Sequence, residues 1–122
     1  MSLHLQGLLK KDLILKVNGS LWIECAGKKY FGPGPMELLE RVEETGSINK
    51  AAKGMGMSYK KSWDIINRLN KNAVRPLVET KAGGKKGGGS HISKEAKQLI
   101  TEYKNLRKKF LTFLENETSL LI

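Results

Sequence analysis

Between Thr45 and Ser90 the chain is interrupted so often that only short helices and a hairpin fit. Gly46, the run Gly54-Met55-Gly56-Met57, Pro76 and the glycines at 83, 84, 87, 88 and 89 each end or turn whatever precedes them. The same stretch holds most of the positive charge. Residues 47 to 90 contain ten lysines and arginines against two acids, Asp64 and Glu79, whereas residues 1 to 46 balance at six and six and residues 91 to 122 hold six against four. A run of lysines is by itself usually a solvated face. Charge concentrated on a turn-rich segment instead raises the potential over one face and selects a polyanion, with nucleic acid first.

The rest of the composition narrows the class. At 122 residues with 39% hydrophobic content, the chain has material for one modest core and an appended helix. Its apolar runs fall far short of the roughly 20 residues that cross a bilayer, and its first residues lack the apolar stretch and cleavage site of a signal peptide. A cytoplasmic protein with no membrane partner is expected. One cysteine, Cys25, forms no internal disulfide, and with His4 and His91 alone beside it there is no zinc ligand set. No nucleophile elbow, HExxH or other catalytic constellation occurs, so neither an enzyme nor a bound cofactor is expected.

Along the chain, Leu13 to Val17, Asn18-Gly19 and Ser20 to Glu24 read as a β-hairpin, because Asn-Gly accommodates the positive φ angles of a tight turn. Gly32-Pro33-Gly34-Pro35 separates it from a helix over Met36 to Glu44, with Met36, Leu38, Leu39 and Val42 on the buried face. Gly46 stops that helix. Ser47 caps a short one carrying Ile48, Ala51 and Ala52, whose small side chains allow close helix approach.

Ser58 caps the next helix, where Trp63, Ile66 and Leu69 cluster on one face and Lys60, Lys61, Asp64, Asn67, Arg68 and Lys71 lie on the others. Burial preference assigns Trp63 to the core. A basic outer side on an apolar inner side is what a DNA-recognition helix requires. After Pro76, Leu77 to Thr80 reads as a strand and Ser90 to Ile92 as its returning partner. The loop between, with Lys81, Lys85 and Lys86 among glycines, has the composition of a flexible linker but the position of a wing. It lacks the GxxxxGK[ST] spacing of a P-loop.

Ser93 caps the last helix. Its apolar residues Leu99, Tyr103, Leu106, Phe110 and Phe113 step by four and three, the spacing of a helix-pairing seam. The seam serves a homodimer or packs on its own domain, and dimerisation is the favoured reading. His91 reads as structural or surface. The fold class expected is α+β, mainly α: a winged helix-turn-helix with an N-terminal β-hairpin and a long C-terminal dimerisation helix. Residues 1–92 form the hairpin and DNA-binding domain, and 93–122 the dimerisation element.

Three blocks then carry a resemblance: Glu44-Thr45-Gly46-Ser47-Ile48-Asn49-Lys50-Ala51-Ala52-Lys53, Met57-Ser58-Tyr59-Lys60-Lys61-Ser62-Trp63-Asp64, and Gly83-Gly84-Lys85-Lys86-Gly87-Gly88-Gly89. Over roughly residues 30 to 105 the chain resembles the N-terminal winged helix of the ModE molybdate-responsive repressors, related to the DNA-binding domains of LysR-type regulators. The resemblance implies a dimer whose helix from Ser58 enters the major groove of duplex DNA. It places Ser58, Tyr59, Lys60 and Lys61 nearest the bases, and Asn67, Lys71, Lys81, Lys85 and Lys86 mostly on phosphates. Molybdate-sensing members carry further oxyanion-binding domains that these residues do not include, so molybdate is not expected to bind this chain. Two other functions compete with a sequence-specific regulator: a non-specific nucleic-acid-binding protein, and a protein-interaction adaptor with an acidic partner. The operator, the regulated genes, the direction of regulation, any effector and the dimer geometry are not encoded in these motifs.

Overall fold

In a computed structural model of the chain, residues 5, 7–81 and 89–121 are described. The elements run β1 (Ile23–Cys25), β2 (Lys28–Phe31), α1 (Pro33–Thr45), α2 (Ile48–Gly54), α3 (Tyr59–Lys71), β3 (Val78–Lys81), β4 (Gly89–Ile92) and α4 (Lys94–Ser119). Two antiparallel hairpins, β1–β2 and β3–β4, accompany the four helices. This is the α+β winged arrangement of helices and small hairpins. No described helix is long and apolar enough to cross a membrane.

Trp22 to Glu102 form one compact unit. In it α1 packs on α2 and β4, α2 packs on α3, and β2 reaches both α1 and α3. Leu38, Leu39 and Val42 of α1 are fully buried, as are Ala51 of α2 and Leu69 of α3. Each of the larger aliphatics contributes about 1.5–3 kcal/mol by leaving water. Gly46 ends α1 in the left-handed region at φ 70°, its N–H donating to the Val42 carbonyl. The Ser47 hydroxyl accepts from the Lys50 N–H, and that of Ser58 from the Lys61 N–H, as expected of both caps.

The first hairpin is not where the Asn18-Gly19 signal put it. Residues 13–22 form no strand, and the turn falls at Ala26 and Gly27, both at positive φ (53° and 79°). The side chain of Asn18 turns inward on its own backbone, accepting from the Gly19 N–H at 2.9 Å. The neighbouring backbone is committed to the second unit instead.

That unit comprises Met1–Leu21 and Tyr103–Ile122. The Val17 N–H donates to the Thr118 hydroxyl at 3.0 Å, and the Tyr103 hydroxyl donates to the Leu21 carbonyl at 2.6 Å. Gly19 lies against the Phe110 ring, where a Cβ would come within 3.2 Å of Cζ. An extended segment thus lies on the second half of α4, and a hairpin over residues 13–24 would forfeit these bonds. The seam expected on α4 divides accordingly. Tyr103 is fully buried and Phe110 half-buried, whereas Leu106 and Phe113 stay 44% and 49% exposed. Leu120, seven residues beyond Phe113, is exposed as well.

Candidate nucleic-acid interface

The inward face of α3 sets what the helix shows to solvent. Ser62, Ile66 and Leu69, at i, i+4 and i+7, are the buried residues. Ser62 is accommodated because its hydroxyl donates to the Tyr59 carbonyl at 2.6 Å. Trp63 is therefore not a core residue as expected. It follows Ser62 by one residue, about 100° around the helix, and is half-buried. Its ring meets Tyr59 edge-on, with centroids 6.1 Å apart and planes at 81°.

Directly opposite the buried face run Lys60, Asp64, Asn67 and Lys71, all exposed. This stripe brings together three of the residues singled out in the sequence and adds Asp64. Lys61 and Arg68 share one flank, Tyr59 and Trp63 the other. Ser58 is exposed, but its side-chain oxygen is engaged as the cap. Lys81 is exposed at the end of β3, while Lys85 and Lys86 lie outside the described residues.

The second hairpin is fixed to the helices by side-chain and backbone bonds. Asn70, the last inward-reaching residue of α3, accepts from the Leu77 and Val78 N–H groups at 2.8 and 3.2 Å and donates to the Val78 carbonyl at 3.1 Å. The Ser93 N–H donates to the Leu77 carbonyl at 2.9 Å, and the Ser90 N–H to the Gly46 carbonyl at 2.9 Å. From β2, the Tyr30 hydroxyl donates to the Leu69 carbonyl at 2.7 Å. Burial pushes the Tyr30 phenol above its ordinary range, Cys25 adds to the rise, and Arg68 partly offsets it. Register within the hairpin is regular, Val78 facing Ile92 and Lys81 facing Gly89.

Sequence reasoning missed Asn70 and Asp64. A polar residue near a helix end has many uses, and only the fold shows that Asn70 faces the backbone of β3. Asp64 was visible as an outward residue, but its place amid the basic stripe follows from the phase set by Ser62, a residue that composition would not bury. Among the described residues no cluster of three His, Cys, Asp or Glu side chains that could hold a metal ion occurs.

No family model matches the chain. Similar curated proteins are the transcriptional regulator ModE of Haemophilus influenzae, 38% identical over 88 residues covering 72% of this chain and 34% of that protein. The DNA-binding transcriptional dual regulator ModE of Escherichia coli K12 is 37% identical over 83 residues, 68% of this chain and 32% of that protein. The molybdenum-pterin-binding protein MopA of Rhodobacter capsulatus is 34% identical over 84 residues, with 69% and 32% covered. The chain spans about a third of the length of these relatives.

Proposed function

The chain belongs to the ModE-type regulators, and from that premise we propose that it is a DNA-binding transcriptional regulator acting on duplex DNA as a homodimer. The observation that carries the reading is the stripe Lys60, Asp64, Asn67 and Lys71 on α3, exposed opposite the buried face. A helix so divided offers a duplex two cations, an amide and a carboxylate while its back stays on the domain.

In this reading Ser58, Tyr59, Lys60 and Lys61 approach the bases from the start of α3, and Asn67, Lys71 and Lys81 meet phosphates with Lys85 and Lys86 of the wing. DNA contacts lie within residues 1–92. The dimer forms through the element 93–122, using the exposed Leu106 and Phe113 with Leu99, since Tyr103 and Phe110 are already engaged within the chain. The protein works in the cytoplasm, without catalysis or a cofactor, and its grip on DNA needs no molybdate.

Duplex titrations over a range of salt test this reading. Replacing Lys60 and Lys61 with Ala costs discrimination between sequences. Replacing Lys85 and Lys86 with Ala weakens binding to all sequences alike and lowers the salt slope by about two. Unchanged affinity and slope in both variants would refute the assignment.

A further inference from the structure

Leu13 to Lys16 lead into the extended segment on α4, yet they belong to no sheet. The Val17 N–H and the Leu21 carbonyl both face α4, bonded to Thr118 and Tyr103. Backbone groups of successive residues in an extended chain point to opposite edges, so those of Ile14 and Lys16 fall on the edge away from α4. Among the described residues nothing bonds that edge. Ile14 is fully exposed and Leu13 half exposed. The unit that contains them, residues 1–21 and 103–122, holds eight of the eleven exposed large hydrophobic residues among those described, and only Tyr103, Leu114 and Leu121 of its hydrophobic residues are buried. So few buried residues leave a unit of about 40 residues in need of further apolar cover.

We propose that a second copy of this chain covers the edge, Leu13 to Lys16 pairing antiparallel with their own counterparts about a two-fold axis at Ile14. The inference rests on the homodimer reading and adds to its helix contact a short two-stranded ladder. The sequence Asp12-Leu13-Ile14-Leu15-Lys16 is complementary to itself. With Ile14 opposite its counterpart, Leu13 falls opposite Leu15 and Asp12 opposite Lys16, in both halves of the pair. Moving the axis to Leu15 sets Ile14 against Lys16 and Asp12 against Asn18, which loses the apolar match and both charge matches. A foreign strand of one charge would meet a like charge at one end, whereas a second copy answers both. On the free edge Ile14 exchanges two backbone bonds with its counterpart, and its side chain packs against an identical one. Asp12 sits at φ 70°, which ends the strand and leaves its carboxylate as the closing contact to lysine. Because Val17 and Leu21 tie the segment to Thr118 and Tyr103, the ladder also fixes how the two α4 helices are placed.

The test uses the full chain in a Cys25→Ser background, so that any introduced thiol is alone. Ile14→Cys is expected to form an intermolecular disulfide under mild oxidation, because facing Cβ atoms in such a pair lie about 4.5–5.5 Å apart. Lys16→Cys is the control: residues two from the axis in each chain lie about 13 Å apart, beyond disulfide reach, and should stay unlinked. Asp12→Lys, which sets like charges across the strands, is expected to raise the dimer dissociation constant in sedimentation about tenfold. Adding Lys16→Asp, which restores opposite charges in reversed order, should return it to within about threefold of the starting value. If the chain sediments as a dimer but Ile14→Cys links no faster than Lys16→Cys, or the reversed charges recover nothing, the strand pairing is overturned and the helix contact survives. If the chain sediments as a monomer at every concentration, both fall together.

Discussion

The Ser90 N–H donates to the Gly46 carbonyl at 2.9 Å, tying the base of the second hairpin to the residue that ends α1. Gly46 sits at φ 70°, and a Cβ built on Gly89 would lie 3.5 Å from the Gly46 oxygen. The turn into the helix pair and the start of β4 are therefore one structural joint. Gly46→Ala places a side chain on a left-handed backbone and is expected to cost about 1 kcal/mol. Urea denaturation measures the loss, and duplex affinity should fall further than stability explains, because the joint aligns β4 with α3.

Asn70 holds the other side of the same hairpin. Asn70→Ala removes three hydrogen bonds and strands the Leu77 and Val78 N–H groups near the core, at an expected cost of about 2–3 kcal/mol. Asn70→Asp keeps the acceptor and should lose less. Hydrogen exchange at Leu77 and Val78 distinguishes the two, rising in the alanine variant and much less in the aspartate.

How much of this was legible in advance depended on where each segment's backbone bonds go. The helix pair was readable because its signals are local: Ser47 and Ser58 cap within three residues, and Gly46 ends α1 by its own conformation. The first hairpin was misplaced because Val17 and Leu21 bond to Thr118 and Tyr103, more than 80 residues away, and no turn propensity reports such partners. The turn actually made uses Ala26 at positive φ, a residue that sequence rules do not favour there. Trp63 was misread because size suggested burial, whereas helical phase gives the inward place to the smaller Ser62. The basic character of α3 was plain from composition, but its ordering into a stripe needed that phase.

Tyr30 ties stability to alkaline pH. Its phenol ionises above its ordinary range, chiefly because burial disfavours the anion. The fold therefore keeps this proton where the unfolded chain has begun to lose it, so stability is intact below pH of about 10 and declines as pH rises through the raised value. Tyr30→Phe removes the bond to the Leu69 carbonyl and should cost about 1 kcal/mol at neutral pH. It should also flatten the alkaline decline in thermal melts followed between pH 8 and pH of about 11.

On α4, Leu106 and Phe113 are exposed and seven residues apart. Charged replacements, Leu106→Glu with Phe113→Glu, are expected to convert a dimer to monomer in sedimentation while leaving the melting of the unit from Trp22 to Glu102 in place. Tyr103→Phe should instead act on folding, since its hydroxyl serves the Leu21 carbonyl of the same chain.

The central claim is that α3 reads DNA sequence. Selection from a randomised duplex pool with the purified protein at physiological salt, followed by affinities for the winning sequence and a scrambled control, tests it most directly. The account predicts an enriched inverted repeat bound about a thousandfold or more tighter than the control. Equal affinity for both, vanishing as salt rises, would contradict it and leave a protein that holds nucleic acid by charge alone.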